Sequence, residues 1–221
     1  MKYLIIKLKG PMQAWGTHTY EGYRPSQSFP TYSGIIGLLA ACMGIKRSDT
    51  KRLQELSNGL KIAIRVDSVI RDDNRKCRMH KMTDFHTVKD ARVSYTGLKS
   101  HETIITKREY LYDSEFTVAV WKLNNEIISL KDIEEAVKKP KFTPFLGRRS
   151  CPIVRPLFEK IVESDDEISV FSHCGQAEGV IYSETKSSGI AMKVRDVPIW
   201  EQKRQFASRL IYAHGGQNVS Y

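Results

Sequence analysis

The 221-residue sequence has few cysteines, no long apolar run and none of the common catalytic signatures, and each absence excludes a class of protein. Its four cysteines are scattered and form no CxxC pair, so neither a disulfide framework nor a zinc site is predicted, and a reducing, cytoplasmic setting is expected. No apolar stretch approaches the length of a membrane span, and no membrane partner is predicted. A P-loop, a GxSxG or HExxH motif and a dinucleotide fingerprint are missing, and no cofactor or metal is predicted.

The sequence is also short of acidic residues, because 35 lysines and arginines against 25 aspartates and glutamates give a formal net charge of +10. Residues 138–155 hold six basic and no acidic side chains, whereas residues 113–137 hold two basic and six acidic ones and residues 156–189 hold two and seven. Alternation on this scale predicts a folded protein with a basic face and an acidic face. A basic face indicates an anionic partner, which is nucleic acid or an acidic protein in preference to a membrane surface.

The centre of the basic region is the stretch FLGRRSCP at residues 145–152. Glycine permits a close approach of the backbone to a phosphate, and each arginine presents a planar fork of donors that fits phosphate oxygens. Gly147, Arg148, Arg149 and Ser150 are therefore candidate anion-binding residues. The alternative is a solvated turn with salt bridges at its rim, but the local lack of acidic residues favours nucleic acid.

A loop rich in aromatic and amide side chains follows the first predicted strand. It contains Gln13, Trp15, Tyr20, Tyr23 and Arg24, and aromatic faces beside an arginine are what stacking on unpaired bases requires. Covering the hydrophobic core is the alternative role, and for Trp15 it is at least as good an interpretation.

Residues 33–44 predict a buried helix, because they are apolar almost all round, begin at a capping serine and end at a glycine. Ser33 is the predicted N-cap and Gly44 is the predicted stop. Gly34 and Gly37 allow close packing on a sheet, but they also leave the amides of the first turn open to a phosphate. The sequence does not decide between these two roles.

The remaining periodicity predicts an α+β fold. Strands are predicted at residues 2–9, 60–70, 107–112, 116–123 and 153–162, with short ones near 179–183, 191–195 and 210–214, and helices at 48–56 and 130–137. The strands at 107–112 and 116–123 are predicted to pair as a hairpin about Asp113 and Ser114. This order of elements resembles the split βαβ, or ferredoxin-like, arrangement that also underlies RRM-like RNA-binding sheets.

Two further basic segments are candidates for contact with a ligand. Residues 71–107 lose periodicity and carry many lysines, arginines and histidines, which predicts a basic projection in the form of a β-ribbon; a disordered surface loop is the alternative. The cluster KRQFASR at residues 203–209 offers Arg204 and Arg209 as a grip on a nucleic-acid backbone, or forms a solvated turn.

One catalytic interpretation survives the missing motifs. Cleavage of RNA without a metal needs a base for the 2′-hydroxyl, an acid for the leaving 5′ oxygen and a cation on the phosphate. His101 with His86 could supply the acid and the base, and Lys99 with Arg108 could supply the charge. Contact with RNA or local packing is the simpler role for these side chains.

Taken together, the motifs resemble the CasD family of the type I-E CRISPR Cascade complexes, within the RAMP superfamily. The resemblance extends over essentially the whole chain. It is carried by GPMQAWG (10–16), FPT with SG (29–31 and 33–34), GLKSHET (97–103), REYL (108–111), FTVA (116–119), LGRRSCP (146–152) and RQFASR (204–209).

The resemblance implies a ferredoxin-like domain over residues 1–150, with a protruding thumb near residues 71–107, and a small β-rich C-terminal subdomain over residues 151–221. It implies a non-catalytic subunit that caps the 5′ handle of the guide RNA (crRNA), joins the CasC backbone filament to the large CasA subunit, and meets target DNA only through the complex. A related branch that does cut RNA uses a Tyr-Lys-His set, and here Ser100 separates Lys99 from His101. The implied RNA-binding residues are Gln13, Trp15, Arg24, Ser33, Gly34, Lys99, His101, Arg108, Tyr110, Gly147, Arg148, Arg149, Ser150, Arg204 and Arg209.

Overall fold

The computed structural model describes residues 1–20, 22–67, 69–70, 76–77, 80–89, 103–123, 128–175, 178–186, 189–200 and 205–215. The helices in these ranges are α1 (Tyr32–Met43), α2 (Thr50–Gly59), α3 (Leu130–Lys138) and a 3-10 helix (Ser169–His173). None of these helices is long and apolar enough to cross a membrane. The strands are β1 (Lys2–Lys9), β2 (Met12–Gln13), β3 (Trp15–Gly16), β4 (Tyr23–Arg24), β5 (Ser26–Gln27), β6 (Leu60–Asp67), β7 (Val69–Ile70), β8 (Lys76–Cys77), β9 (His80–Lys89), β10 (Thr103–Tyr112), β11 (Glu115–Lys122), β12 (Phe158–Glu163), β13 (Ile181–Ser183), β14 (Ile190–Pro198) and β15 (Phe206–His214).

The largest element of the fold is a seven-stranded sheet with the strand order β12-β1-β11-β6-β13-β15-β14. Every neighbouring pair in this sheet is antiparallel, and β1 lies between β12 and β11. The prediction that helices and strands combine in one fold is therefore confirmed, as a large antiparallel sheet accompanied by three α-helices in the described ranges.

Alternation along β1 explains why the large sheet is covered on both faces. Leu4 and Ile6 belong to the main core, which they share with residues of α1, α2 and α3. Tyr3 and Ile5 belong to a second cluster that includes Phe171 of the 3-10 helix. Because successive side chains of a strand lie on opposite faces, the α-helices cover one face and the 3-10 segment covers part of the other.

The face under the 3-10 helix also contains a buried ionic cluster. Asp67 accepts hydrogen bonds from Lys7 Nζ, Arg65 Nε and Thr117 Oγ1, each at 2.6 Å. Arg65 is only 3% exposed, and another of its N–H groups donates to the carbonyl of Phe171 at 2.8 Å. Each buried charge is paired, which is the condition under which burial of a charge is tolerated.

The buried helix predicted from the sequence is α1, which contacts α2, α3 and β14. Its C-cap is Gly44, with a φ of 72°, as predicted. Its N-cap is Thr31 and not Ser33, because the Thr31 side chain accepts a hydrogen bond from the Gly34 amide and the helix begins at Tyr32. The prediction of Ser33 as the N-cap was therefore wrong, because the hydroxyl of Thr31 caps the helix as a serine would.

A smaller sheet is built around a β-ribbon. β9 and β10 pair antiparallel over ten residues, and β2 and β4 also pair with β10. A ribbon is thus present in the described part of residues 71–107. The predicted hairpin of residues 107–112 with residues 116–123 is wrong, because β10 belongs to this sheet and β11 lies between β1 and β6. β11 is buried at six successive positions and requires a neighbour on each side, so the chain changes sheets at Asp113, with a φ of 51°.

The C-terminal strands complete the large sheet. β12 lies beside β1, and β13, β15 and β14 continue the sheet beyond β6. β12 begins at Phe158, later than predicted, because Pro152 and Pro156 interrupt the preceding segment and lack the N–H group that a ladder needs. The short strands predicted near residues 179–183, 191–195 and 210–214 are confirmed. The division of the chain after residue 150 stays a prediction.

Candidate nucleic-acid interface

The FLGRRSCP stretch forms a tight turn whose two ends are buried. Leu146 and Cys151 are inaccessible to solvent, and the Leu146 amide donates to the Cys151 carbonyl at 2.9 Å. The Cys151 amide donates to the Arg148 carbonyl at 2.8 Å, which closes the turn. The Ala14 amide donates to the Leu146 carbonyl at 3.1 Å and fixes the turn to the segment after β1. Backbone hydrogen bonds therefore hold the tip of the turn in one place.

Gly147 makes the contact with Ala14 possible. Its φ of 83° lies in the left-handed region. A Cβ at this position would lie 1.8 Å from the carbonyl oxygen of Ala14. Any other residue would therefore meet both backbone strain and direct overlap. The sequence predicted that this glycine allows a close approach to a phosphate, and the approach seen here is to the protein's own backbone.

Arg148 is half-buried and fixed in position. Its guanidinium donates to the carbonyls of Glu109 at 2.9 Å and Arg24 at 3.0 Å, and its centre lies 4.6 Å from the centroid of the Tyr110 ring. These partners are neutral groups, so they orient the guanidinium and leave its positive charge uncompensated. Its neighbour Arg149 is exposed, and no carboxylate in the described ranges pairs with either arginine.

Further cations continue this surface along β10. β4 runs parallel to β10, with Tyr23 opposite Lys107 and Arg24 opposite Arg108. Arg24 and Lys107 are exposed, whereas Arg108 is half-buried and its Nε donates to Thr106 at 3.1 Å. No described carboxylate lies within ion-pair distance of any of these cations. We call the following five residues the basic band: Arg24, Lys107, Arg108, Arg148 and Arg149.

One carboxylate adjoins the basic band, but its partners lie elsewhere. Glu109 accepts hydrogen bonds from the Tyr23 hydroxyl and, at 2.9 Å, from the Ser26 amide, and Lys81 Nζ lies 3.6 Å away. Burial alone would raise the pKa of Glu109, but these hydrogen bonds and the Lys81 charge outweigh it and hold the pKa below its usual value of 4.5. Glu109 is therefore ionised at neutral pH and is balanced by Lys81.

An open groove of about 740 Å³ adjoins the basic band, and the sequence interpretation did not assemble it. It is lined by Tyr20, Gly22, Tyr23, Ile105 and Lys107. Tyr20 and Ile105 are 65% and 51% exposed. The Lys107 amide donates to the Gly22 carbonyl at 2.7 Å, which fixes the tyrosine loop to the ribbon. Exposed aromatic faces beside cations suit the stacking of unpaired bases. The signal for this groove in the sequence was the pair Tyr20 and Tyr23, three residues apart.

Gln13 and Trp15, which were predicted to line the RNA-binding face, are 0% and 1% exposed. The Gln13 Nε2 donates to the Ser114 carbonyl at 2.7 Å, and its Oε1 accepts a hydrogen bond from Trp15 Nε1 at 3.2 Å. The polar groups of both side chains are thus occupied inside the protein. Of the two roles considered for Trp15, covering the core is the one that this burial supports.

Of the other predicted residues, Ser33 and Gly34 are half-buried at the start of α1, and Tyr110 is buried in β10. A Cβ on Gly34 would lie 2.8 Å from the Trp15 ring, so close packing accounts for this glycine. The Gly34 amide donates to Thr31 Oγ1 at 3.3 Å, and Ser33 Oγ lies 3.5 Å from the same oxygen. Tyr110 is buried and carries Arg148 over its ring. Tyr110 therefore supports Arg148, and Gly34 packs against Trp15.

The N-terminal end of α1 does hold an anion, but the anion belongs to the protein. The buried Asp196 accepts a hydrogen bond from the Tyr32 amide at 2.7 Å. Arg209 donates to both oxygens of Asp196, at 2.8 and 3.0 Å, and its third contact is Glu184 at 3.3 Å. Burial would lower the pKa of Arg209, but the two carboxylates outweigh it and raise the pKa. Arg209 is therefore a half-buried cation that is paired with two carboxylates, and it lies in β15 and not in a solvated turn.

Three predicted residues, Lys99, His101 and Arg204, lie outside the described residues. Their RNA contacts, and the catalytic role considered for Lys99 and His101, stay predictions. In the part of the chain that the structure describes, no three side chains of His, Cys, Asp or Glu come together as a metal site. Cys42, Cys151 and Cys174 are free and buried.

The fold and the site define an α+β protein that fixes an uncompensated basic band and an aromatic groove beside a β-ribbon, an arrangement suited to single-stranded nucleic acid. Comparison with known proteins makes the assignment specific. A family model described as "CRISPR-associated protein (Cas_Cas5)" matches residues 3–212, and this chain belongs to that family.

Individual relatives agree with the family. The CRISPR system Cascade subunit CasD of Escherichia coli (strain K12) is 48% identical over 221 residues, which cover 99% of this chain and 98% of that protein. A solved chain of a CRISPR RNA-guided surveillance complex is 26% identical with a TM-score of 0.67, over 96% of this chain and 89% of that one. A crystal structure of a Cas protein, 24% identical with a TM-score of 0.64 over 96% and 93% of the two chains, supports the fold alone. The resemblance to the CasD family is thus confirmed.

Proposed function

We propose that this chain is the CasD-type subunit of a Cascade surveillance complex and that it binds the 5′ handle of the guide RNA without cutting it. The observation that carries the proposal is the 48% identity with the Escherichia coli CasD subunit along 99% of this chain. Identity at this level over the full fold supports an equivalent place in an equivalent complex. The similarity to a chain of an RNA-guided surveillance complex supports the same assignment.

The basic band would bind phosphates of the handle. Arg24, Lys107 and Arg149 are exposed, and Arg148 is fixed by neutral partners, so all four charges are available to an anion. Phosphate contacts position a nucleic acid without reading its sequence. Because Gln13, Trp15 and Tyr110 are buried, and Ser33 and Gly34 are half-buried at the start of α1, their proposed role is to hold this surface in shape. Gly147 and Ser150 would complete the turn that presents Arg149.

The tyrosine groove would accept an unpaired base of the same RNA. Tyr20 offers an exposed ring whose edge-to-face contact with His18, at 5.2 Å between centroids, restricts its orientation. Lys107 lines the same groove and would meet the phosphate of the stacked nucleotide. Stacking on an aromatic face contributes about 1–3 kcal/mol per base.

We further propose that the core is ferredoxin-like and that the ribbon of β9 and β10 belongs to a thumb within residues 71–107. The strands β1, β6, β11 and β12 lie in the sheet order β12-β1-β11-β6, with α1 and α2 between β1 and β6 and α3 between β11 and β12. This succession supports a βαββαβ core whose first three strands lie within residues 1–150 and whose fourth strand, β12, lies in the β-rich C-terminal part over residues 151–221.

In such a complex the chain would connect the CasC backbone filament to the large CasA subunit. The acidic segments at residues 113–137 and 156–189 support contacts with basic neighbouring subunits. Metal-independent cleavage of repeat RNA is the competing function, and it depends on Lys99 and His101.

The test is to incubate the full-length protein with labelled repeat RNA and labelled handle RNA in EDTA, and to resolve the products on native and denaturing gels. We expect a shifted handle complex and no new RNA fragment. Cleavage that is lost in His101→Ala would replace the proposal with the processing function. Failure of folded protein to retain the handle would overturn the proposal.

Two matched sets of variants separate the basic band from net charge. Arg24→Gln with Arg149→Gln should reduce the magnitude of the slope of log K against log salt by about 1.4, because each phosphate contact on a single strand contributes about 0.7. Lys2→Gln with Lys193→Gln removes the same charge from exposed positions elsewhere and should leave most of the slope intact. Equal effects of the two pairs would exclude a specific role for the band.

The groove has a sharper control within a single residue. Tyr20→Phe keeps the ring and should keep the affinity for handle RNA, whereas Tyr20→Ala should lower that affinity by about 1–3 kcal/mol. Equal affinities of the two variants would exclude base stacking at Tyr20.

A further inference from the structure

A second basic surface lies at the end of α1 that is remote from Trp15. There the loop after α1, the first turn of α2 and the loop after α3 meet. Backbone hydrogen bonds join the loop after α3 to the last turn of α1, since the Lys141 amide donates to the Cys42 carbonyl at 2.9 Å and the Phe142 amide donates to the Ala41 carbonyl at 3.1 Å. Six exposed cations, which we call the helix-end patch, lie on these segments: Lys46, Arg47, Lys51, Arg52, Lys139 and Lys141.

The helix-end patch carries six positive charges, and Asp49 brings one negative charge to the same surface. In the described part of the chain, no carboxylate lies within ion-pair distance of any of the six cations. Asp49 is the acid within the same segment, and it is engaged as the N-cap of α2, where it accepts a hydrogen bond from the Arg52 amide at 3.2 Å. An open depression of about 500 Å³ is lined by Lys46, Ser48, Asp49 and Arg52 together with Gly44.

Balancing of helix dipoles does not account for these cations. The last carbonyls of α1 already accept hydrogen bonds from backbone amides, including those of Gly44, Ile45 and Lys141. Lys51 and Arg52 lie in the first turn of α2, where the helix dipole is positive and opposes cations, and no acidic side chain lies in that turn. Asp49 offsets one of the six charges, and the remaining excess of positive charge is electrostatically unfavourable in the free protein. A local rule broken in this way is expected at a ligand site.

The surroundings of the patch select the class of ligand. Of the large apolar side chains in the described segments that form it, Phe142 is the exposed one, at 45%. A protein interface needs an apolar core with few charges, and a site for single strands needs several aromatic faces. Neither is present, whereas clustered lysines and arginines without aromatics suit contact with phosphates alone.

We propose that the helix-end patch binds the phosphate backbone of a nucleic-acid duplex, independently of its sequence. Gly34, in the first turn of α1, packs against Trp15, and the neighbouring Ala14 contacts the turn that holds Arg148. Gly44, the C-cap of α1, packs against Lys141 of the patch. These two glycines are ten residues apart, which is about 15 Å at 1.5 Å per residue. The patch is thus separate from the basic band. A chain that holds a guide RNA on the band would meet a second, double-stranded nucleic acid on the patch.

The test is fluorescence anisotropy of the full-length protein with a short labelled DNA duplex, and with an RNA duplex of the same sequence, over a series of salt concentrations. The test variant combines Lys46→Gln, Arg47→Gln, Lys51→Gln and Arg52→Gln. If each of the four cations contacts one phosphate, the magnitude of the salt slope falls by about 3.6, because each contact on duplex DNA contributes about 0.9. We also expect the affinity for the duplex to fall at least about tenfold. Whichever duplex the parent protein binds more tightly, DNA or RNA, identifies the nucleic acid that the patch recognises.

The matched control removes four exposed charges elsewhere through Lys2→Gln, Lys131→Gln, Lys186→Gln and Lys193→Gln. It should keep most of the duplex affinity, and circular dichroism should show both variants folded. An unchanged salt slope in the patch variant, or an equal loss in the control, would overturn the proposal.

Handle RNA distinguishes this proposal from the guide-RNA function. The patch variant should bind handle RNA as the parent does, and saturating handle RNA should not displace the duplex from the parent. Displacement would mean that one surface serves both ligands and would refute a separate site. If the proposed guide-RNA function is wrong, the parent protein should instead bind the duplex and fail to bind handle RNA.

Discussion

Replacing Gly147 by alanine should destabilise the protein strongly, although the residue is exposed. A left-handed backbone costs a residue with a Cβ about 1–2 kcal/mol. The new Cβ would lie 1.8 Å from the Ala14 carbonyl oxygen, and contacts under 3.0 Å are essentially never seen, so one segment must move by at least about 1.2 Å. Such a movement breaks the hydrogen bond from the Ala14 amide to the Leu146 carbonyl, now 3.1 Å long.

The loss of that hydrogen bond leaves a buried amide without a partner. Ala14 is 3% exposed, so water does not replace the Leu146 carbonyl, and an unsatisfied buried donor costs about 1–3 kcal/mol. Together with the backbone term, the expected loss in the free energy of unfolding is about 2–5 kcal/mol. Urea denaturation followed by far-ultraviolet circular dichroism measures this quantity directly.

A second glycine supplies the control for this measurement. Gly37 lies within α1, and a Cβ built there meets no atom within 4 Å. Gly37→Ala should therefore raise the free energy of unfolding by about 0.5–1 kcal/mol, because alanine loses less conformational entropy in a helix. A Gly147→Ala protein within about 0.5 kcal/mol of the parent would refute the reasoning from the Ala14 contact.

Three further predictions concern groups with restricted access to solvent. Asp196→Ala should lower the free energy of unfolding by about 1.5–3 kcal/mol, because Arg209 loses its hydrogen bonds to Asp196 and keeps Glu184 as a carboxylate partner. Urea denaturation should show a smaller loss for Asp196→Asn, and equal losses would contradict the charge pairing. Because the pKa of Glu109 in the folded protein lies below the usual 4.5, its stabilising contribution is present above pH 4.5 and is lost as the pH falls through the folded pKa. Thermal unfolding between pH 6 and pH 3 should therefore show a steeper loss of stability for the parent than for Glu109→Gln, and parallel curves would exclude this contribution. Burial raises the pKa of Cys42 to about 11, so little of this thiol is in the reactive thiolate form at pH 8. Peptide mass spectrometry should therefore find Cys42 alkylated far more slowly in the native protein than in the urea-unfolded protein. Equal rates would count against its burial.

Local sequence patterns determined most of the framework. The alternation of β1 follows from residues two apart, and the all-round apolar surface of α1 follows from a single continuous segment. The acidic helix α3 carries its own capping box at Ser129 and Asp132. These features depend on neighbours within a few residues, so the sequence alone predicts them. The motifs of the CasD family are contiguous as well, so the sequence by itself also indicates the family.

Strand pairing was decided at longer range. Residues 107–112 and 116–123 look like the two arms of a hairpin, since the first contains two tyrosines, the second contains β-branched and aromatic residues, and a short turn joins them. The structure instead pairs β10 with β9 and places β11 between β1 and β6. The partner of a strand depends on which faces become buried, and a local pattern records only that a strand exists.

The fate of each arginine required the tertiary structure. In the sequence Arg148, Arg149 and Arg209 look alike, because each lies in a short cluster of basic and hydroxyl side chains. In the fold Arg209 is neutralised by Asp196 and by Glu184, 13 and 25 residues away. Arg148 meets backbone carbonyls 39 and 124 residues away that leave its charge intact, and Arg149 stays exposed. The sequence determined where the positive charge lies along the chain, and only the three-dimensional neighbours decided which charges remain available, because electrostatic compensation depends on distance in space.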